Sequence, residues 1–195
     1  MKKILLVLIF AFLPFMIFSA PFGFKMGMTI DEIAEQCEEE PTFVKDDIYL
    51  VKPIKSHPLF SYYAVYVNDK TGLYQIRAIS DSVTCNKYGT ELQNAFNNVK
   101  DRIAKTYGKP KINNKVDSSI SSYYQKDENW FYTLREGSRE LSAVWGNNSS
   151  LADNLDTVAL ECVSVSGLYD GTGQLILYYY FSNAKSVEDE QDDVF

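Results

Sequence analysis

The sequence has little of what metal, redox or nucleic-acid chemistry requires. It contains one histidine and three cysteines, and 19 Lys and Arg stand against 26 Asp and Glu, a net charge of -7. A single histidine excludes every catalytic or metal site that needs two, and the cysteines lack zinc-ligand spacing. Clustered cations that would neutralise phosphates are also missing. We therefore predict no metal, no cofactor, no catalytic residue identifiable from a motif and no nucleic-acid partner.

Apolar and aromatic side chains are abundant. Hydrophobic residues make up 46% of the 195 residues and aromatic residues 14%, including 14 Tyr and 12 Phe. A domain commonly has about 100–200 residues, so this chain can bury one core. We predict a single globular domain over residues 21–186.

The first twenty residues have the three parts of a secretory signal peptide. Two lysines precede an apolar run from Ile4 to Phe18, and small residues follow it up to Ala20. The run is shorter than the about 20 apolar residues of a membrane span. We predict export to the periplasm or the extracellular space, with cleavage after Ala20. Because Pro21 follows the cut and Phe18 stands where a small residue is preferred, an uncleaved inner-membrane anchor is the alternative.

Export determines how Cys37, Cys85 and Cys162 are interpreted. An oxidising compartment permits one disulfide, and the sequence does not choose among the three pairings. Buried free thiols are the equal alternative, because free cysteine commonly behaves as a small apolar residue. A catalytic thiol is disfavoured, since nothing nearby would lower its pKa.

Two helices are predicted. Thr29 and Glu32 form a capping box at the start of a short amphipathic helix over about residues 30–40. A longer helix covers about residues 90–107 and ends at Gly108. Its apolar residues recur every three or four positions, at Leu92, Ala95, Phe96, Val99, Ile103 and Tyr107.

Strands are predicted where β-branched and aromatic residues alternate between turn residues. They cover residues 48–51, 59–67, 73–80, 130–134, 141–145, 157–165 and 174–181. The last six form three hairpins, and the second hairpin follows a polar linker over 113–122. Residues 187–195 form an acidic tail, for which we expect disorder. The order predicts an α+β fold with a mainly antiparallel sheet of about six to seven strands and two helices.

The aromatic strand near the C-terminus gives the first candidate site. Successive strand residues point to opposite faces, so Tyr178 and Tyr180 share one face and Tyr179 lies on the other. Exposed tyrosines suit a protein or glycan surface. The alternative is a second layer, such as the long helix, that covers these rings.

Two further candidates concern catalysis. His57 precedes a predicted strand, and no local motif signals a nucleophile or an orienting acid for it. A strand-entry residue hydrogen-bonded to a turn is the simpler interpretation. A carboxylate pair assembled in space leaves no fixed spacing, and Glu128, Glu140 and Glu161 are the strand-associated acids that could supply one.

Five short motifs punctuate most of residues 22–182: Phe22–Thr29 (FGFKMGMT), His57–Phe60 (HPLF), Gly72–Ile76 (GLYQI), Tyr88–Thr90 (YGT) and Tyr107–Pro110 (YGKP). In these motifs the chain resembles exported bacterial proteins for which no activity is established. The resemblance implies an exported α+β domain. The Gly27–Thr29 opening before an acidic helix also looks like the helix start of small envelope modules such as β-lactamase-inhibitor-like domains, whose cysteine pairs this sequence lacks.

These observations favour a non-enzymatic binding or assembly module of the bacterial envelope that acts through an aromatic surface. The expected partner is another envelope protein or a glycan, and a membrane only if the N-terminal segment stays uncleaved. The alternative is an envelope hydrolase that uses a carboxylate pair or a site around His57.

Overall fold

The computed structural model describes residues 20–146, 151–165 and 171–187. Almost all of the predicted signal peptide, residues 1–19, therefore lies outside the described residues, as do residues 188–195 of the predicted tail. Val187, the first residue of that predicted tail, is described and is buried.

One antiparallel sheet organises the molecule. Its strands are β1 (Thr42–Lys45), β2 (Ile48–Val51), β3 (Phe60–Asn68), β4 (Gly72–Ser80), β5 (Val83–Thr84), β6 (Lys111–Val116), β7 (Arg139–Trp145), β8 (Leu155–Ser164) and β9 (Thr172–Phe181). Their order is β1-β2-β3-β4-β9-β8-β7-β6, and β5 pairs with the start of β9. The α+β class and the antiparallel sheet are confirmed, but the sheet has nine strands in the described ranges instead of six to seven.

The last strand joins the two halves of the sheet. β9 pairs with β8 as a hairpin partner and with β4 on its other edge. Both hairpins predicted at 59–80 and 157–181 are present, with boundaries shifted by one or two residues. The C-terminal strand is therefore central, and its side chains lie at the middle of both faces.

The helices differ in how well the sequence predicts them. α1 (Ile30–Ala34) has the predicted capping box, in which the Glu32 amide donates to Thr29 and the Thr29 amide donates to the Glu32 carboxylate. It stops after five residues, well short of residue 40, because Cys37 already bridges to Pro53 in extended backbone. α2 (Thr90–Tyr107) has the predicted extent.

The predicted hairpin at 130–145 is wrong. Residues Trp130–Arg135 form a short helix, α3, and the partner of β7 is β6, which lies partly in the predicted polar linker. Aromatic residues favour strands only weakly, and here Trp130, Phe131 and Leu134 are buried at helical spacing. β6 carries half-buried and exposed polar residues at the edge of the sheet, so it shows no apolar alternation.

The sheet has two unlike faces. On the inner face, α2 lies so close to β9 that a Cβ on Gly173 would stand 2.6 Å from Leu92 Cδ2. The inward residues Leu175, Leu177, Tyr179 and Phe181 are buried, whereas the outward residues Gln174, Ile176, Tyr178 and Tyr180 are half-buried. Phe131 of α3 also approaches Gly173 from the inner side. Both α2 and α3 therefore pack on the inner face and not on the outer face.

The start of α2 depends on a glycine. Gly89 has φ +63, and a Cβ there would stand 2.1 Å from Trp130 Cε3. L-residues rarely adopt this left-handed backbone. The missing side chain at Gly89 therefore lets α3 pack directly against the beginning of α2.

Candidate functional site

The predicted aromatic pair on the outer face is a closed stack. Tyr178 and Tyr180 have ring centroids 6.0 Å apart at 12°. The guanidinium of Arg77 on β4 lies 5.1 Å from the centroid of Tyr178 and 5.3 Å from that of Tyr66. The Tyr178 ring is therefore contacted both by Tyr180 and by the guanidinium of Arg77.

Two of the three predicted acids approach each other on the same face. Glu140 on β7 and Glu161 on β8 flank Ser142, which pairs with Glu161 and whose hydroxyl donates to Glu140 at 2.7 Å. Burial and the neighbouring Glu140 raise the pKa of Glu161, while Tyr178 and Arg77 oppose that shift. Glu128 does not lie on a strand; it belongs to the 3-10 turn Asp127–Asn129.

His57 makes the hydrogen bonds of a strand-entry residue. Its Nδ1 accepts from the amide of Leu59 at 3.2 Å. Its own amide donates to the Tyr63 hydroxyl at 2.9 Å, and that hydroxyl donates back to the His57 carbonyl. Burial, together with the positive charge of Arg102, lowers the pKa of His57. The ring is therefore held neutral, with Nε2 as its N–H donor.

The imidazole also lines a cavity of about 330 Å³ between the C-terminal half of α2 and the sheet. We call this cavity the His57 pocket. Its lining residues are Ala20, Pro21, Phe22, Lys55, Ser56, His57, Phe60, Val99, Arg102, Ile103, Thr106, Tyr107, Leu177 and Tyr179. None of these described residues is an acid, so the pocket offers His57 no carboxylate to orient it as a general base.

The N-terminal segment forms one side of this pocket. Pro21 is buried, and the Gly23 amide donates to the Ala20 carbonyl at 2.9 Å. The ring of Phe22 meets Tyr63 and Tyr179 edge to face, with centroids 4.9 and 5.8 Å apart. The start of the described chain is thus fixed against the inner face.

A second concave site lies near the N-terminal end of α2. Tyr123, Tyr124 and Tyr132 line an open groove of about 640 Å³, which we call the tyrosine groove. Adjacent ring centroids are 5.2 and 5.1 Å apart, and Tyr124 stacks on Tyr132 at 23°. These side chains are 54%, 39% and 40% exposed, so they present a continuous aromatic surface to solvent.

Polar and charged groups surround those rings. Lys87 and Glu128 line the groove and pair at 3.9 Å, and Arg135 lies 5.3 Å from the Tyr132 centroid. The side-chain amide of Asn129 donates to the Tyr123 carbonyl at 2.8 Å and so fixes the segment that carries the first ring. The groove therefore combines fixed aromatic surface with hydrogen-bonding groups at its edge.

No family model matches the chain, and neither a curated protein nor a solved structure matches it. Function is therefore inferred from geometry.

The remaining chemistry of the described residues is limited. Cys37, Cys85 and Cys162 are free thiols, and burial raises the pKa of each. In the part of the chain that the structure describes, no cluster of three His, Cys, Asp or Glu side chains could hold a metal ion. Within those same residues, no helix has the length and apolar character to cross a membrane.

Sequence reasoning missed the tyrosine groove. Tyr123 follows the predicted polar linker, and Tyr132 lies in the strand predicted over residues 130–134. The adjacent pair Tyr123–Tyr124 in an otherwise polar stretch was the available signal, because large rings without apolar neighbours are seldom needed for a core. The structure brings the pair together with Tyr132 and leaves Tyr178 and Tyr180 in a separate stack.

Proposed function

We propose that this protein is an exported, non-enzymatic binding module of the bacterial envelope that holds a glycan in the tyrosine groove. One observation carries the proposal: three contiguous, solvent-exposed tyrosine rings line a groove of about 640 Å³.

The composition of the groove matches the chemistry of a sugar. A pyranose ring has an apolar C–H face and a rim of hydroxyls, so it binds best to an aromatic surface bordered by donors and acceptors. Tyr124 and Tyr132 supply the surface. The Glu128 carboxylate supplies acceptors, and Lys87 and Arg135 supply donors.

The tyrosines of the outer face are a poorer candidate for the glycan site than those of the groove. Tyr178 and Tyr180 are half-buried, their rings stack on each other, and Arg77 lies over the Tyr178 ring. We therefore place the aromatic binding surface in the groove and regard the outer-face stack as a rigid part of the sheet.

The hydrolase remains the second candidate because Glu140 and Glu161 lie close enough for one to raise the pKa of the other. A glycosidase needs such a pair on opposite sides of a bound sugar. Neither carboxylate lines the His57 pocket or the tyrosine groove, and Glu128 is the one carboxylate among the described residues that line the groove. Binding without hydrolysis is therefore better supported.

An array of bacterial envelope oligosaccharides tests the proposal. We expect the unaltered protein to bind at least one array member, and Tyr124→Ala and Tyr132→Ala to weaken that binding about three- to tenfold, the value of one aromatic contact. Tyr62→Ala is the matched control, because Tyr62 is 60% exposed but lies on β3. Thermal melts check that each variant folds.

Two outcomes would overturn the assignment. One is a failure of the unaltered protein to bind any array member. The other is an equal loss of binding in Tyr62→Ala, which would show that the groove is not the binding site.

Export is tested separately by the mass of the chain recovered from cells. We expect a chain that begins at Pro21. An intact N-terminus would show that the segment is retained as an anchor, and recovery in the cytoplasm alone would contradict the export proposal.

A further inference from the structure

The His57 pocket and the tyrosine groove lie at opposite ends of α2. Asn86 and Lys87 line the groove just before the helix, and the pocket uses helix residues from Val99 onwards. A helix rises about 1.5 Å per residue, so the two sites are roughly 20 Å apart. The pocket is therefore a site in its own right, independent of the proposed glycan groove.

The floor of the pocket is apolar and preformed. Val99 and Ile103 of α2 face Leu177 of β9, and all three are buried in the core. Phe60 at the start of β3 and the ring of Phe22 extend this surface. Such walls accept hydrocarbon and give no hydrogen bond to a polar ligand.

The mouth of the pocket is cationic. Lys55 and Arg102 both line it, are exposed, and have no ion-pair or hydrogen-bond partner among the described residues. Because no acid lines the pocket, these two charges are not neutralised within it. An anion placed between them would gain charge-assisted hydrogen bonds.

Two neutral donors complete the polar end. His57 retains a hydrogen on Nε2 because Leu59 occupies Nδ1. Burial and the nearby Asp153 raise the pKa of Tyr107 to about 12, so its hydroxyl stays protonated near neutral pH. Both groups line the same cavity as the two cations.

We propose that the His57 pocket binds a small amphipathic carboxylate, with the carboxylate between Lys55 and Arg102 and the hydrocarbon body against Val99, Ile103 and Leu177. A cavity of about 330 Å³ is near the small end of the range for ligand sites, roughly 300–1,000 Å³. It holds about ten heavy atoms if each takes the roughly 30 Å³ of a water molecule. This volume matches an eight-carbon acid.

The single histidine makes the test specific to this site. In the untagged protein as isolated from cells, one imidazole gives one set of histidine NMR signals. We expect octanoate to shift these signals in a saturable titration. Octanol, which has the same tail without the charge, and acetate, which has the head without the tail, should each bind at least about tenfold more weakly.

A pair of variants on one helix separates specific from general charge effects. Arg102→Gln should weaken octanoate binding about tenfold, as expected for one lost hydrogen bond between charged groups, and leave octanol binding unchanged. Lys105→Gln is the matched control, because Lys105 is an exposed cation of α2 that does not line the pocket. It should bind octanoate as the unaltered protein does.

Each other result contradicts the proposal. Absence of a histidine shift at millimolar octanoate would mean that the pocket does not take such a ligand. Equal affinity for octanol and octanoate would show that the cations do not contribute to binding. Equal affinity for acetate and octanoate would show that the apolar floor does not contribute. A preference for octyl phosphate over octanoate would overturn the carboxylate assignment.

Discussion

The two faces of the sheet are made by the same strands but have different chemistry. Along β9, the inner residues are buried under α2, whereas the outer residues are half-buried by their neighbours on adjacent strands. The inner face is therefore held by burial of apolar area. The outer face is held by lateral contacts such as the Tyr66–Arg77–Tyr178 stack.

This difference locates the candidate sites. Within the described part of the chain, neither candidate cavity is lined by an outer-face residue of β9. The His57 pocket and the tyrosine groove instead lie where α2 ends and its cover over the inner face is incomplete. Both candidate sites therefore lie at the rim of the helix layer, and the His57 pocket also uses the inner-face residues Leu177 and Tyr179 of β9.

The sharpest test of this contrast uses adjacent residues of β9. Leu177→Ala should lower the free energy of unfolding by about 2–5 kcal/mol because Leu177 is 3% exposed and its removal leaves a cavity. Ile176→Ala, on the half-solvated outer face, should cost about 1–2 kcal/mol. Urea denaturation measures both values. Equal losses would mean that the outer face is as tightly packed as the inner face.

The next largest effect concerns the attachment of α3 to the helix layer. Gly89→Ala should cost about 2–4 kcal/mol, because it forces a left-handed backbone on alanine and overlaps Trp130. Gly137→Ala is the control: its φ is +71, but no atom lies within 4 Å of the added Cβ. In thermal melts, Gly137→Ala should lose less stability than Gly89→Ala, because only the left-handed backbone conformation opposes the alanine there. Similar losses would contradict the close contact at Trp130.

A smaller effect on stability is expected on the outer face, where one substitution should stabilise the protein. The folded-state pKa of Glu161 is raised, so ionisation there opposes folding as pH rises through the carboxylate range. Glu161→Gln should therefore raise the melting temperature at pH 7 and leave it nearly unchanged at pH 3. A lower melting temperature at pH 7 would show that Tyr178 and Arg77 outweigh the burial.

The smallest expected effect is the pH response of His57 on the inner face. Its pKa is lowered in the fold, so the unfolded chain binds more protons and stability falls as pH drops below about 6.5. His57→Gln should remove this component, so the difference in melting temperature between the two proteins should vary between pH 8 and pH 5. A difference that is constant with pH would contradict a lowered pKa.

Much of the fold follows from sequence patterns that burial imposes. The apolar stripe of α2 and the alternation in β9 were readable because each of these elements has one buried side. β6 was missed because all six of its residues are exposed or half-buried, so it has no such side. α3 was misassigned because six residues are too few to separate helical spacing from a run of aromatics.

The candidate sites were less predictable. His57 is a candidate from the sequence because it is the single histidine. Its pocket also depends on Lys55 and Arg102, which are far apart in sequence and are brought together by the packing of α2 on the sheet. The tyrosine groove joins residues on both sides of a 3-10 turn that no motif marks. Local patterns report burial, whereas these sites depend on which exposed residues become neighbours.

If the chain is cleaved after Ala20, as proposed, the fixed N-terminal segment would link that cleavage to ligand binding in the His57 pocket. Ala20 and Pro21 both line the His57 pocket, and the Ala20 carbonyl accepts the Gly23 amide. If a peptidase cuts between them, the pocket loses that carbonyl and gains the positively charged amine of a new chain terminus beside Lys55 and Arg102. Precursor and processed chain would then be two different receptors, with the processed form the stronger binder of anions.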